Sequence, residues 1–296
     1  MTPAKFVKKA KNYLFVHSIS AGLFNSWSDE KFLKMMFKRS MGYEPDLDNP
    51  RTFNEKLQWL KLHDRKPLYT TLVDKYEVKK YVADKIGEEY VIPTLGVWDS
   101  VDEIDFDSLP EQFVLKCTHD SGGVIICRDK AKLDIAAAKK KLRKRLKVNF
   151  YYLGREWPYK NVKPRIIAEK YMENSEEGLH DYKVWCFNGQ VEYIQYITGR
   201  LSTTYEAFYS RDWEKLPFTY LNPPMDGEAA KPEKLDEIIQ IAEELASGIP
   251  FVRVDFYVLE TGNILFGEET FYPCGGLEKF HPEDMSLKLG DMIRLN

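Results

Sequence analysis

Apolar positions along this chain switch between a helical and a strand period, and the switch points mark its elements. Over residues 1–65 the pattern is helical, with Leu57, Trp59 and Leu60 set among charges in NEKLQWLKLHDR. Asn49-Pro50 is a turn signal, and Asn54 is a candidate cap for the helix that carries those three residues. A second helix is predicted from Leu72 to Ile86, stopped by Gly87. VIPTLGVW and QFVLKC carry β-branched and aromatic residues bounded by Pro and Gly, which predicts strands. Helical spacing returns at Ile135, Ala138, Leu142 and Leu146, with Asp134 placed to cap that helix.

The second half is richer in strands. RIIAEKY, YKVWCF and QVEYIQYI have strand character, and Asn188-Gly189 between the last two is the strongest hairpin turn in the chain. Leu235, Ile238, Ile239, Ala242 and Leu245 share one face of an amphipathic helix that ends near Gly248-Ile249-Pro250. FVRVDFYV and NILFGEET then pair across Thr261-Gly262. Strands mixed with helices, with few β-α-β alternations, predict an α+β fold on antiparallel sheets.

With 296 residues, 44% hydrophobic and 14% aromatic, the chain has enough apolar material for a packed core and excludes a disordered protein. Its 43 basic and 46 acidic side chains nearly cancel, which argues against a nucleic-acid binder. Cys117, Cys127, Cys186 and Cys274 form no CxxC pair and read as mostly buried, reduced thiols of a cytosolic protein. No apolar run is long enough to cross a membrane. Tyr13 to Trp27 is interrupted by His17, Ser18, Ser20 and Asn25, too polar for a signal-peptide core. Residues 1–40 carry a local charge of +6, which predicts a solvated helical cap or a peripheral contact with anionic membrane.

The chemistry concentrates in Phe251 to Thr270. Strand alternation sets Arg253, Asp255 and Tyr257 on one face. A two-residue turn at Thr261-Gly262 puts Asp255 opposite Glu268, and a turn one residue later puts it opposite Thr270. A three-residue loop would break this parity. Opposed carboxylates repel, so either a divalent cation with oxygen ligands or an ion pair with Arg253 must compensate. Lys116 lies inside an apolar strand, where it either meets an anion or guards a sheet edge. Thr118 to Gly123 comes next, a Gly-Ser turn whose backbone N–H groups suit phosphates, without the spacing of a P-loop. Cys117 and His119 lack a third orienting group, which disfavours nucleophilic catalysis.

Together these segments make the chain similar to the TupA-like ATP-grasp proteins. The resemblance is carried by NPRTFNEKLQWLKLHDRKPLYTTLVDKY, IGEEYVIPTLGVWDS, LPEQFVLKCTHDSGG, PRIIAEKYM, HDYKVWCFNG, FVRVDFYV and LFGEETFYPCGG, and runs from about Leu47 onward. It implies an ATP-grasp fold: two α+β subdomains clasping ATP between antiparallel sheets, behind a helical N-terminal cap. The corresponding divisions are 1–65 for the cap, 66–165 for the first subdomain with its preceding helix, and 166–296 for the second with the metal site.

The resemblance further implies that Lys75, on a helix, and Lys116, on a strand, face ATP phosphates, with Ser121, Gly122 and Gly123 closing over them. Glu169-Lys170-Tyr171-Met172 matches the linker beside adenine, and Asp181 the acidic residue on the ribose, with Lys183 toward phosphate. Arg253 matches the arginine at the γ-phosphate or acyl-phosphate. Asp255, Glu268 and Thr270 match the ligands of one or two Mg²⁺ ions, Thr270 replacing the more usual Asn.

The implied activity is ATP-dependent carboxylate–amine ligation in surface-polysaccharide synthesis, joining an amine or amino acid to a uronic acid. A glycosyltransferase and a non-catalytic nucleotide-binding partner are the alternatives. His119 and Arg200 are further candidates for substrate contact. The basic run Lys139 to Lys147 reads as a solvated helix face, with an anionic saccharide contact as the alternative. Glu156-Trp157-Pro158-Tyr159 reads as a loop whose aromatics favour packing over substrate contact.

Overall fold

A computed structural model describes residues 13–172, 180–199 and 203–295. Helix α1 (Asp29–Met41) is capped by Ser28 and buries Phe32, Leu33, Phe37 and Met41. Helix α2 (Phe53–His63) is capped by Thr52 in a capping box with Glu55. Asn54, expected as the cap, lies inside the first turn. Its amide is buried and donates to Gly276 O at 3.0 Å and Glu278 O at 2.8 Å.

The helix expected from Leu72 to Ile86 is two helices, α3 (Pro67–Val73) and α4 (Glu77–Ile86). Asp74 causes the break. Its carboxylate accepts from Tyr76 N–H at 2.9 Å and from Arg165 Nη2 at 2.7 Å, which competes with the helical ladder. Lys75 N–H is thereby released to bond Thr118 O at 3.0 Å, so the lysine stands on a turn.

The first sheet holds β1 (Thr94–Trp98), β2 (Phe113–Cys117), β3 (Ile125–Cys127) and β4 (Ile166–Lys170), in the antiparallel order β1-β4-β2-β3. Phe113, Leu115, Cys117, Ile166 and Ala168 form a small core with Leu142 of helix α5 (Ile135–Arg145), which Asp134 caps as predicted. By alternation Val114, Lys116, Ile167 and Glu169 occupy the opposite face.

The second sheet has six strands: β5 (His180–Phe187), β6 (Gln190–Thr198), β7 (Tyr205–Ser210), β8 (Lys215–Leu216), β9 (Phe251–Val258) and β10 (Ile264–Thr270). Their order is β10-β9-β5-β6-β7-β8. Asn188 and Gly189 turn β5 into β6 with φ of 50° and 83°, as the Asn-Gly pair requires. Between α5 and β4 in sequence stands the short helix α6 (Tyr151–Gly154). Helix α7 (Leu235–Leu245) buries Ile238, Ala242 and Leu245 in one core with Val184, Val252, Val254 and Phe256. Trp185 and Phe251 pack on Phe53 of α2, with ring centroids 5.6 and 4.9 Å away. Helix α8 (Met285–Met292) closes the chain against α2. Among the described residues no helix is long and apolar enough to cross a membrane.

The β9–β10 register reaches the expected pairing by an unexpected route. The connection is a three-residue loop, Glu260 to Gly262, closed by Leu259 N–H on Asn263 O at 2.9 Å. It sets Phe256 opposite Phe266 and would leave Asp255 facing residue 267. A bulge at Gly267 inserts one residue and restores the parity, so Glu268 faces Asp255 and Thr270 faces Arg253. A Cβ on Gly267 would approach Asp255 O to 3.0 Å and the Tyr257 ring to 3.3 Å. Gly267→Val is therefore expected to lower stability by about 1–3 kcal/mol, the usual effect of overpacking. Urea denaturation measures it, and an unchanged midpoint would mean that the bulge accepts a side chain.

Candidate active site

Two polar faces, one from each sheet, supply the site. On the first sheet Glu169 is 4% exposed and held by two ammonium groups. Lys116 Nζ lies 2.6 Å from Oε2 and Lys79 Nζ 2.8 Å from Oε1. Burial alone would push this carboxyl up, but Lys116 and then Lys79 outweigh it and hold it below the usual carboxylate range. Glu169 thus lies within β4 as the counter-ion of the strand lysine, not at the start of a linker. Lys79, in the first turn of α4, is not singled out by the sequence pattern. Its only signal was a helical register one turn beyond Lys75.

Lys75 Nζ donates to Asp120 O at 2.6 Å. Burial lowers its pKa, and Glu268, from the second sheet, is the strongest charge opposing that shift. Lys116, Asp120 and Glu169 act on it from the first sheet, so Lys75 stands where the two faces meet.

Gly122 and Gly123 take φ of 93° and 74° in the loop after β2. Arg145, in the run expected to be solvated, is engaged here. Its Nε lies 2.5 Å from Asp120 Oδ2, and Nη2 donates to Ser121 O at 2.9 Å. His119, a candidate substrate contact, is 2% exposed and bonds Val148 O at 3.1 Å, which places it beneath the loop. Cys117 belongs to the small core, where burial pushes its thiol up to about 12, so no activated Cys–His pair exists.

On the second sheet Arg253 grips Asp255 with both arms, Nε to Oδ1 at 2.6 Å and Nη2 to Oδ2 at 2.7 Å. Lys183 pairs with the same Oδ2 and also lies 3.0 Å from Asp181 Oδ2. Asp255 is 3% exposed. Burial raises its pKa, but Arg253 and Lys183 prevail and keep it ionised. Thr270 Oγ1 takes a bond from Arg253 Nη2 at 3.1 Å and donates to Glu268 Oε1 at 3.2 Å. The donor set is oxygen only, two carboxylates and a hydroxyl, which suits a hard divalent cation. Among the described residues no three His, Cys, Asp or Glu side chains are grouped to hold a metal alone. Phosphate or water oxygens would have to complete its shell.

Lys170 ends β4. Tyr171 comes after it, its hydroxyl bonded by Arg128 Nε at 3.0 Å, and then Met172. Arg200 lies outside the described residues.

The loop after β10, Pro273 to Gly276, was missed as a site element. Cys274, Gly275 and Gly276 take left-handed φ of 50°, 65° and 67°, and Cys274 is exposed, unlike the other three cysteines. A polar stripe on α2 clamps this loop. Lys61 Nζ bonds Gly275 O at 2.7 Å, and Gln58 Nε2 bonds Gly275 O at 3.1 Å and Gly276 O at 3.2 Å. Asn54, Gln58 and Lys61, spaced by four and three residues, were the available signal.

Two antiparallel sheets that bring lysines from one side toward an arginine–carboxylate hairpin on the other define an ATP-grasp protein. The chain belongs to the TupA-like ATPgrasp family, matched over residues 55–294. No curated protein matches it in sequence. Among solved structures it is similar to N5-carboxyaminoimidazole synthetase from Staphylococcus aureus, at 14% identity and TM-score 0.40, over 68% of this chain and 44% of that one. Similarity to D-alanine–D-alanine ligase from Bacillus anthracis, complexed with ATP, is 17% identity and TM-score 0.40, over 68% and 55%. The ADP complex of N5-carboxyaminoimidazole ribonucleotide synthetase gives 14% and 0.45, over 73% and 50%. The matched part is about half the length of those chains.

Proposed function

We propose that this protein is an ATP-dependent carboxylate–amine ligase that joins an amine or amino acid to a uronic acid of a surface polysaccharide. The observation that carries the reading is the convergence around Glu268 of Lys75, from the turn between α3 and α4, with Arg253 and Lys183 of the second sheet, Lys116 of the first sheet acting on Lys75 from the other side. Three of these cations are paired with Glu169 and Asp255, and a polyphosphate can take over such pairing where a neutral sugar cannot.

In this reading Lys75 and Lys116 hold ATP phosphates, and the Ser121–Gly123 backbone covers them. Lys170 to Met172 lie toward the base, and Asp181 toward the ribose. Asp255, Glu268 and Thr270 would hold Mg²⁺, which neutralises phosphate charge when bound. Arg253 orients the γ-phosphoryl group. A substrate carboxylate oxygen attacks phosphorus and ADP leaves. The amine nitrogen then attacks the acyl carbon, and phosphate departs with the bridging oxygen.

That bridging oxygen provides the test. With ATP, Mg²⁺, an amine and ¹⁸O-labelled uronate, the released phosphate is expected to carry ¹⁸O. Amide formed with unlabelled phosphate would overturn the acyl-phosphate route. Sugar transfer from a nucleotide sugar without ADP formation would make the protein a glycosyltransferase, and ATP binding with no turnover of any kind would make it a nucleotide-binding partner.

A further inference from the structure

The segment joining α6 to β4 of the first sheet carries a carboxylate that the proposed phosphoryl chemistry does not use. Arg155 holds this segment rigid. It takes a left-handed φ of 53°, is 1% exposed, and its guanidinium stacks on Phe32 at 4.5 Å and donates to Phe24 O at 2.7 Å. Glu156 is next in the chain, half-buried, and its carboxylate makes no hydrogen bond or ion pair among the described residues. Oε1 lies 3.9 Å from where a Gly275 Cβ would stand, and Lys61 Nζ lies 3.9 Å from the same point.

Lys61 is 0% exposed, yet its ammonium is held only by neutral oxygens: Gln58 Oε1 at 3.1 Å, Gly154 O at 3.1 Å and Gly275 O at 2.7 Å. A buried cation with neutral partners sets up a positive potential, and Glu156 is the anion that answers it. The other charged group acting on Glu156 is Glu268 of the carboxylate hairpin. Glu156 therefore stands beside the loop after β10, within the field of the proposed reaction centre.

We infer that Glu156 is the base of the second half-reaction, receiving the substrate ammonium group and taking one proton from it so that nitrogen can attack the acyl carbon. The inference rests on the ligase reading above. Of the three N–H bonds of the ammonium, one breaks to Glu156 before attack. A second breaks as the tetrahedral adduct expels phosphate, which takes that proton, and the third remains in the amide. Glu156 returns its proton to solvent.

The surroundings suit the task. Burial pushes the Glu156 carboxyl up to about 7, Lys61 opposing and Glu268 adding to the shift. Burial draws Lys61 down to about 8 against the pull of Glu156. Tyr159 and Tyr272, which also feel Glu156, are raised by burial well above their ordinary value and stay neutral. A carboxylate poised near neutrality is what proton transfer at working pH requires.

The test compares ADP release with two nucleophiles, hydroxylamine and ammonium chloride, over glucuronate, galacturonate and their oligomers. Hydroxylamine is a free base at neutral pH and needs no proton acceptor before attack, whereas ammonium does. Glu156→Gln is expected to lower ammonium-dependent kcat/KM by about 10²-fold or more while leaving the hydroxylamine rate within about threefold. The rise in ammonium-dependent rate near pH 7 should disappear in this variant, and Glu156→Asp should recover part of it. An unchanged ammonium rate, or an equal fall with both nucleophiles, overturns the assignment while the ligase reading stands. A wild-type protein that releases no ADP with either nucleophile overturns that reading and this inference with it.

Discussion

Replacing Asp255 by asparagine is expected to remove both turnover and a large part of the stability, whereas Glu268→Gln should remove turnover alone. The two carboxylates face each other across β9 and β10, but their surroundings differ. Asp255 is 3% exposed and holds a bidentate Arg253 together with Lys183. Loss of its charge takes the bidentate partner from Arg253 and leaves Lys183 to Asp181, and breaking a buried pair in this way costs about 3–5 kcal/mol. In a chain of this size that is a fall in Tm of roughly 6–15 °C. The Glu268 side chain is 44% exposed, accepts from Thr270 at 3.2 Å and lies 3.7 Å from Arg253. Its removal should leave Tm within about 2 °C, since exposed pairs contribute little. Both variants should lose about 10²-fold or more in ADP release through lost charge stabilisation. Scanning calorimetry beside the ADP assay separates the effects. Equal melting temperatures for Asp255→Asn and wild type would mean that the ion pairs at Asp255 do not hold the hairpin.

The alternation of FVRVDFYV was enough to put Arg253 and Asp255 on one face, and Asn188-Gly189 enough to join β5 to β6. Local rules act over two to four residues, and these features need nothing longer. The β9–β10 pairing was legible for a different reason. The loop has three residues where two were expected, and the bulge at Gly267 cancels the difference. No turn rule contains that compensation, because it sits at Gly267, where any Cβ would meet Asp255 O at 3.0 Å and the Tyr257 ring at 3.3 Å, outside the turn itself.

The features that stayed hidden depend on partners distant in sequence. Asp74 breaks the helix because Arg165 reaches it from 91 residues further along the chain. Lys61 and Gln58 look like any exposed face of α2 until the Pro273–Gly276 loop is laid over them. Arg145 sits among basic neighbours, and only the fold turns it toward Asp120. Glu156 reads from the sequence, with its aromatic neighbours, as part of a packing loop, and its relation to Lys61 crosses almost a third of the chain.

The counter-ion of the strand lysine gives the last expectation. Glu169→Gln should destabilise the protein by about 3–5 kcal/mol at pH 7, because Lys116 and Lys79 then lie side by side without an anion. The effect must depend on pH, and its sign is set by the two lysines. Their charge outweighs burial and holds the Glu169 carboxyl below its ordinary value. A depressed carboxyl contributes stability that is fully present above the unfolded pKa of about 4.3 and is lost as pH falls through the folded value. Wild type should therefore lose its advantage over Glu169→Gln on acidification below about pH 4.3, while the gap stays constant from about pH 6 to 8. Urea denaturation of both proteins across that range measures it. A gap that persists unchanged in acid would show that the shape of the glutamate, rather than its charge, is what the first sheet needs. On the ligase reading proposed above, the same substitution frees Lys116 for ATP phosphate without competition, so the Kd for ATP of the folded variant should stay equal or tighten. A weakened Kd would place Glu169 among the groups that orient the lysine toward the nucleotide.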